Sequence, residues 1–208
     1  LLGHPVARLT RDKAGKLVNV GEGTAESLMY LEIDRQPQAA LAGIKTRVAK
    51  VLEDVRAIVE DWEPMRDRMR AVAEDLATRK LPVSDAGKQE AQEFLRWAAD
   101  EHFTFFGYRE YKIEKQGKED VLAAVPGTGM GLLRGDEGGK ARPVKSLAAH
   151  YMPQSGAVDA LILTKTNARA SIHRQGYMDY IGVLGFDGKG RATSEQRFLG
   201  LYTSSAYT

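Results

Sequence analysis

The stretch Phe94 to Tyr111 (FLRWAADEHFTFFGYREY) changes its hydrophobic period halfway along, and that change limits what the chain can become. In its first half Phe94, Leu95, Trp97 and Ala98 gather at helical spacing, with Glu93, Arg96, Asp100 and Glu101 pointing elsewhere. From Phe103 the period is two. Strict alternation puts Phe103, Phe105, Tyr111 and Ile113 on one face, and Thr104, Phe106, Tyr108, Glu110 and Lys112 on the other. Five of the fourteen Phe and Tyr residues fall between Phe103 and Tyr111. Aromatics on both sides mark a central strand, fed directly by a helix, where the larger core begins.

The clearest periodicity lies upstream. Leu41, Ile44, Val48, Val51, Val55, Ile58, Trp62, Met65, Met69, Val72 and Leu76 alternate spacings of three and four, with charged residues filling the remainder. Such a helix would reach roughly 60 Å. Pro64 removes a backbone donor within it, so a kink or break is expected near Asp61 to Pro64. The seam suits a connecting helix packed on its own chain, or one pairing across a subunit boundary. For the second role Val48, Val51, Val55, Ile58 and Trp62 are the candidate self-association residues. Thr78 to Gly87 is a linker, with Ser84 or Asp85 as the N-cap of the next helix.

Strands surround these helices. Val6 to Thr10 and Leu17 to Val20 form a hairpin about Asp12 to Gly15, and Ser27 to Ile33 reads as a third strand. Three short strands without a helix bury little, so this part reads as the tail of a small α/β domain. Further on come Asp120 to Val125, Ala160 to Thr164, Ala168 to His173, and a hairpin of Tyr180 to Phe186 with Arg197 to Thr203; Val144 to Tyr151 has some helical character. The expected class is α+β: an antiparallel sheet of five or more strands preceded by a long heptad-patterned helix.

Pro126 to Lys140 is glycine-rich, yet Gly127, Gly129 and Gly131 are not the GxGxxG of a dinucleotide loop. Gly139-Lys140 is followed by Ala141, not the Ser or Thr of a P-loop. A mobile loop flanking a short Met130 to Leu133 strand is expected there. Lys165, Arg169, His173 and Arg174 form a basic cluster at strand ends. They would hold an effector's carboxylate, or pair with Asp159, Asp179 or Glu195 on a solvated face. His102 lacks a second His or Cys at ligand spacing and reads as a helix-terminal histidine; His4 and His150 are isolated, so no metal site is assigned. No GxSxG nucleophile motif occurs.

The net charge of +2, with both signs interleaved, gives no nucleic-acid or membrane surface. No apolar run approaches the ~20 residues of a membrane span, and no signal peptide opens the chain. The absence of cysteine excludes disulfides and fits a reducing cytoplasm. Leu1 is not an initiator methionine and Thr208 follows a strand without a stop, so the chain reads as a piece of something longer.

Phe94 to Tyr111 together with Tyr177 to Tyr207 (YMDYIGVLGFDGKGRATSEQRFLGLYTSSAY) resembles the amino-terminal region of the large bacterial NAD-specific glutamate dehydrogenases. Val125 to Arg134 (VPGTGMGLLR), Leu161 to Arg174 (LILTKTNARASIHR), HPVARLTRDKAGKL and ESLMYLEIDR fit the same pattern, so the resemblance spans almost the whole chain. It implies a long homo-oligomeric enzyme that converts L-glutamate and NAD to 2-oxoglutarate, ammonium and NADH. It also implies ACT-like and PAS-like domains ahead of a catalytic domain. Residues 1–35 would then close an ACT-like domain, 36–85 form the connecting helix and linker, and 86–208 the PAS-like sheet. Catalysis does not carry over, because the family's catalytic lysine, aspartate and Rossmann domain have no matching positions. Gly138-Gly139-Lys140 mimics only a fragment of the lysine motif. The implied role is a regulatory or oligomerisation segment: no catalytic or cofactor residues of its own, NAD bound elsewhere in the parent, and an amino acid as a candidate effector. A free-standing PAS-type sensor and a helix-mediated dimerisation scaffold are the alternatives.

Overall fold

The computed structural model describes residues 3–117, 119–135, 142–143 and 159–204, with backbone alone at 119, 142 and 143. The helical segment expected at Val144 to Tyr151, Gly138 to Lys140 and His150 lie outside the described residues. The chain forms two compact units, Leu1–Thr46 and Arg47–Thr208.

In the first unit β1 (Val6–Arg11) lies between β2 (Leu17–Val20) and β3 (Thr24–Ser27), antiparallel to both. The hairpin turn is built by Asp12, whose carboxylate accepts the amides of Ala14 and Lys16. The returning chain then crosses β1 from one edge to the other within Gly21 to Gly23. Gly23 has φ +96°, and a Cβ there would sit 2.4 Å from the Leu9 carbonyl oxygen, so only glycine fits. That crossing fixes the third strand at Thr24–Ser27, opposite Leu9 to Val6, rather than at the expected Ser27 to Ile33. Beyond it the Leu28 amide reaches the Pro5 carbonyl at 2.9 Å and Tyr30 bridges to Gly3, but Met29, Tyr30, Leu31 and Ile33 are each more than half exposed. Their apolar content has no pleated surface to pack on.

Helix α1 (Gln38–Thr78) continues through 41 residues with Pro64 inside it, so of the kink or break expected near Asp61 to Pro64 the break does not occur. Pro64 lies on the exposed side, where the carbonyl it leaves free faces solvent, while Met65 and Met69 beside it are fully buried. After the linker, Ser84 caps α2 (Asp85–Trp97) by accepting the Gly87 amide at 3.1 Å. One wide turn, Ala98–His102, delivers the chain into β4 (Phe103–Gln116).

β4 organises the larger sheet. Around it lie β5 (Glu119–Ala124), β6 (Met130–Gly131), β7 (Arg142–Pro143), β8 (Leu161–Arg169), β9 (Tyr177–Phe186) and β10 (Ala192–Tyr202). The order is β7-β5-β4-β10-β9-β8, with β6 beside β4, and every pairing is antiparallel. The class is α+β.

One residue breaks the alternation expected along β4. Leu199 pairs with Gly107 and Gly200 with Phe105, leaving Phe106 as the extra residue of a bulge. Beyond it the faces exchange, so Tyr108 joins Phe103 and Phe105 instead of opposing them. These three, with Ile181, Val183 and Phe198, meet Met65, Met69, Val72 and Leu76 of α1 and Ala91 and Leu95 of α2. Each large side chain so buried contributes about 1.5–3 kcal/mol. Phe106 packs instead with Ile58, Met178 and Leu201.

The bulge is held from outside. The Phe106 carbonyl accepts the Leu132 amide at 2.8 Å, and Gly131 (φ +59°) lies so close that a Cβ would be 2.2 Å from the same oxygen. Asp61 of α1 accepts the Gly131 amide at 2.7 Å and grips the Arg134 guanidinium through both its oxygens, at 2.6 and 3.0 Å. Residues 126–135, expected as a mobile loop, are therefore tied to helix and strand.

Burial tends to raise the Asp61 pKa, but the Arg134 hydrogen bonds and the Gly131 amide outweigh it and hold the carboxyl below its usual range. Its stabilisation is complete above the ordinary carboxylate pKa and is lost as pH falls through the depressed value. Asp61→Asn is expected to cost about 1–2 kcal/mol in urea unfolding at pH 7, allowing for the exposure of Arg134. The difference should shrink towards pH 3; a pH-independent difference would contradict this account of Asp61.

Candidate functional site

The basic cluster at the β8 and β9 ends is distributed among separate partners. Lys165 pairs at 2.5 Å with Asp179, a carboxylate only 3% exposed, whose other oxygen accepts the Tyr202 amide at 3.1 Å. Arg174 donates to the Tyr202 carbonyl at 3.0 Å. Arg169 lies over the Tyr177 ring, 5.2 Å from its centroid, and the His173 ring approaches Phe106. Asp179 and the Tyr202 backbone thus link Lys165 with Arg174, while Arg169 and His173 turn to different neighbours. Of the carboxylates named as alternatives to an effector, Asp179 takes Lys165, and Glu195 lies with Arg197.

A second charged group was not legible as a site. Arg197 is stacked between the rings of Tyr111 and Tyr180, 4.1 and 5.0 Å from their centroids. Its Nε donates to Glu195 at 2.9 Å and to the Tyr180 hydroxyl at 3.1 Å, and that hydroxyl also donates to Glu195. Glu195 is fully buried. Burial and the charge of Glu195 push the Tyr180 hydroxyl far above its ordinary pKa, so it stays protonated as a donor. The alternation of Glu195 and Arg197 along one strand was the only available signal; the flanking tyrosines come from β4 and β9.

The helix-facing side of the sheet also changes from apolar to polar along β4 and β10. Tyr108 donates to Glu110 at 2.7 Å, Gln196 donates to the Tyr108 hydroxyl at 3.2 Å, and Arg79 reaches Gln196 at 3.4 Å. Just beyond the end of α1 this surface opens into a groove of about 510 Å³. Arg79, Lys80 and Leu81 form one wall, and Glu110, Lys112, Phe186, Ser194 and Gln196 are among the residues of the floor and far side. Burial and Glu110 push the Tyr108 hydroxyl well above its ordinary range, so it stays protonated as the donor to Glu110.

Among the described residues no group of three His, Cys, Asp or Glu is placed to hold a metal. His102 stacks on Trp97 at 4.6 Å and its Nδ1 lies 3.0 Å from the Trp97 carbonyl oxygen, a helix-terminal arrangement. His4 bonds to Ser27. Along α1 the candidate self-association residues divide: Val48 and Trp62 are exposed, Val51 and Val55 half-buried, and Ile58 belongs to the chain's own core.

An antiparallel sheet covered by helices, with polar clusters along it, places the larger unit among the α+β sheet-and-helix architectures. No protein-family model matches the chain. It is 36% identical over 188 residues to an NAD-specific glutamate dehydrogenase of Halomonas elongata, and 34% identical over 186 residues to that of Pseudomonas aeruginosa, each match covering 88% of this chain. A third such protein, of Mycobacterium tuberculosis, is 26% identical over 66% of the chain. The chain is homologous over most of its length to the NAD-specific glutamate dehydrogenases, matching the amino-terminal region of that family. It spans only 9–12% of the length of these relatives. No described helix is long and apolar enough to cross a membrane.

The Lys165 contact yields a direct test. Lys165→Met leaves the buried Asp179 without its counter-charge and should cost about 1–3 kcal/mol in urea unfolding. Asp179→Asn in the same background should recover part of that loss. Equal stability of Lys165→Met and the unsubstituted chain would mean that Asp179 does not depend on Lys165.

Proposed function

We propose that this chain is a non-catalytic regulatory and assembly segment of an NAD-dependent glutamate dehydrogenase. The parent enzyme would oxidatively deaminate L-glutamate to 2-oxoglutarate and ammonium, reducing NAD in a catalytic domain elsewhere in the polypeptide. The observation that carries this reading is the match of 88% of the chain to about a tenth of a much longer enzyme. The entirely antiparallel larger sheet supports it, because dinucleotide sites of the Rossmann type form at the carboxyl ends of parallel strands. On this reading residues 1–35 end an ACT-like domain, 36–85 connect, and 86–208 form a PAS-like platform that works in the cytoplasm.

Its partners are the remainder of the parent chain and further copies of itself. Leu41 and Val48 are 43% and 40% exposed on the heptad seam of α1, which supports a partner helix along that part of the seam. An amino-acid effector's carboxylate would be received at Lys165, Arg169, His173 and Arg174, with Arg169 offering a two-pronged donor.

Calorimetry and sedimentation on the 208-residue chain test both halves of the proposal. No binding of NAD tighter than about 1 mM is expected. Self-association should be lost on Leu41→Asp with Val48→Asp while the fold is retained. Micromolar NAD binding would overturn the non-catalytic reading, and an oligomer that survives both substitutions would overturn the role of the seam.

A further inference from the structure

Helix α1 carries a second apolar stripe beside the one that enters the core. Val48, Leu52, Val55, Val59 and Trp62 follow one another at alternating spacings of four and three, an uninterrupted heptad seam. The helical turn points Val59 about 100° away from Ile58, which belongs to the chain's own core. Val48, Val59 and Trp62 are 40%, 61% and 44% exposed, and Leu52 and Val55 are half-buried. The folded chain thus leaves the seam open over about 20 Å of helix.

The residues along this seam keep the same order when read from either end. Counted from a point between Glu53 and Asp54, Leu52 mirrors Val55, Val48 mirrors Val59, and Lys45 mirrors Trp62. Two copies laid antiparallel about a two-fold axis at that point place Val48 of one against Val59 of the other. Leu52 then meets Val55, and each layer occurs twice. Charge follows the same symmetry, with Lys45, Arg47 and Lys50 upstream of the axis and Glu60, Asp61 and Glu63 downstream. Lys50 is taken by Asp54, and Glu60 and Asp61 by Arg134. Lys45 and Glu63 are exposed, and among the described residues neither has an ion partner in its own chain. Antiparallel copies bring Lys45 of each beside Glu63 of the other. Parallel copies would set Lys45 against Lys45 and Glu63 against Glu63.

We propose that this seam is an interface between two copies of the chain, paired antiparallel about the level of Glu53 and Asp54, with Lys45 of each copy closing on Glu63 of the other. The inference rests on the assembly reading above and gives it a partner and an orientation. Val48, Leu52, Val55 and Val59 supply the apolar contact, and the end charges fix the direction in which the helices meet. A helix from elsewhere in a parent chain would require neither the mirrored apolar order nor opposite charges at the two ends of the seam.

The chain has no cysteine, so introduced thiols report orientation directly. Under mild oxidation a mixture of the Val48→Cys and Val59→Cys chains should form disulfide-linked dimers. Neither variant alone should do so, because antiparallel pairing separates its two thiols by about 16 Å along the helix. In sedimentation equilibrium Lys45→Glu and Glu63→Lys should each weaken self-association at least fivefold, and the double substitution should restore it to within about twofold. Val48→Cys or Val59→Cys chains that crosslink to themselves as readily as in the mixture would overturn the orientation and leave assembly standing. Losses that add in the double variant would overturn the Lys45–Glu63 contact. A 208-residue chain that sediments as a monomer throughout would overturn the assembly reading and this interface with it.

Discussion

The single extra residue at Phe106 governs the larger unit. Without it, Tyr108 would face away from Phe103 and Phe105, and the apolar seam of α1 would meet a shorter aromatic surface. With it, Tyr108 is fully buried 4.8 Å from Phe198, and its hydroxyl starts the polar strip that runs through Glu110 and Gln196 to Arg79. A bulge leaves backbone groups off the regular ladder, and those groups need partners when buried. Leu132 supplies one to the Phe106 carbonyl, and Asp61 fixes the neighbouring Gly131. Helix, bulge and loop are thereby one mechanical unit.

Three carboxylates drawn in among the strands and helix are each answered. Asp179 meets Lys165 and the Tyr202 amide, Glu195 meets Arg197 and Tyr180, and Asp61 meets Arg134 and Gly131. Breaking one partner of such a pair is costly, whereas the intact pair adds little net stability and fixes geometry. Arg197 between Tyr111 and Tyr180 locks the register of β4, β10 and β9 at one level.

Much of the architecture was legible because it rests on periodicity. The seam of α1, the switch to period two at Phe103, the Ser84 cap and the β9–β10 hairpin all follow from local patterns. The rest depended on contacts between distant residues. Nothing near Phe106 announces a bulge, since the partner that stabilises it lies at Gly131 and Leu132. Pro64 reads as a helix breaker until its exposed side is known, and Leu28 to Ile33 read as a strand until Gly23 is seen to set the register. The basic cluster was recognised as residues but not as geometry, because Asp179 and Tyr202, which divide it, lie on other strands. Arg197 was invisible for the same reason: its two tyrosines come from β4 and β9.

Proton–proton contacts between aromatic rings test this account most directly. In the 208-residue chain with selectively labelled Phe and Tyr, the Tyr108 ring should show strong nuclear Overhauser contacts to Phe198. Phe106 should contact Met178 and Leu201 instead. Contacts placing Tyr108 beside Phe106 on one face, as in an unbulged strand, would contradict the fold on which the groove and the buried pairs depend.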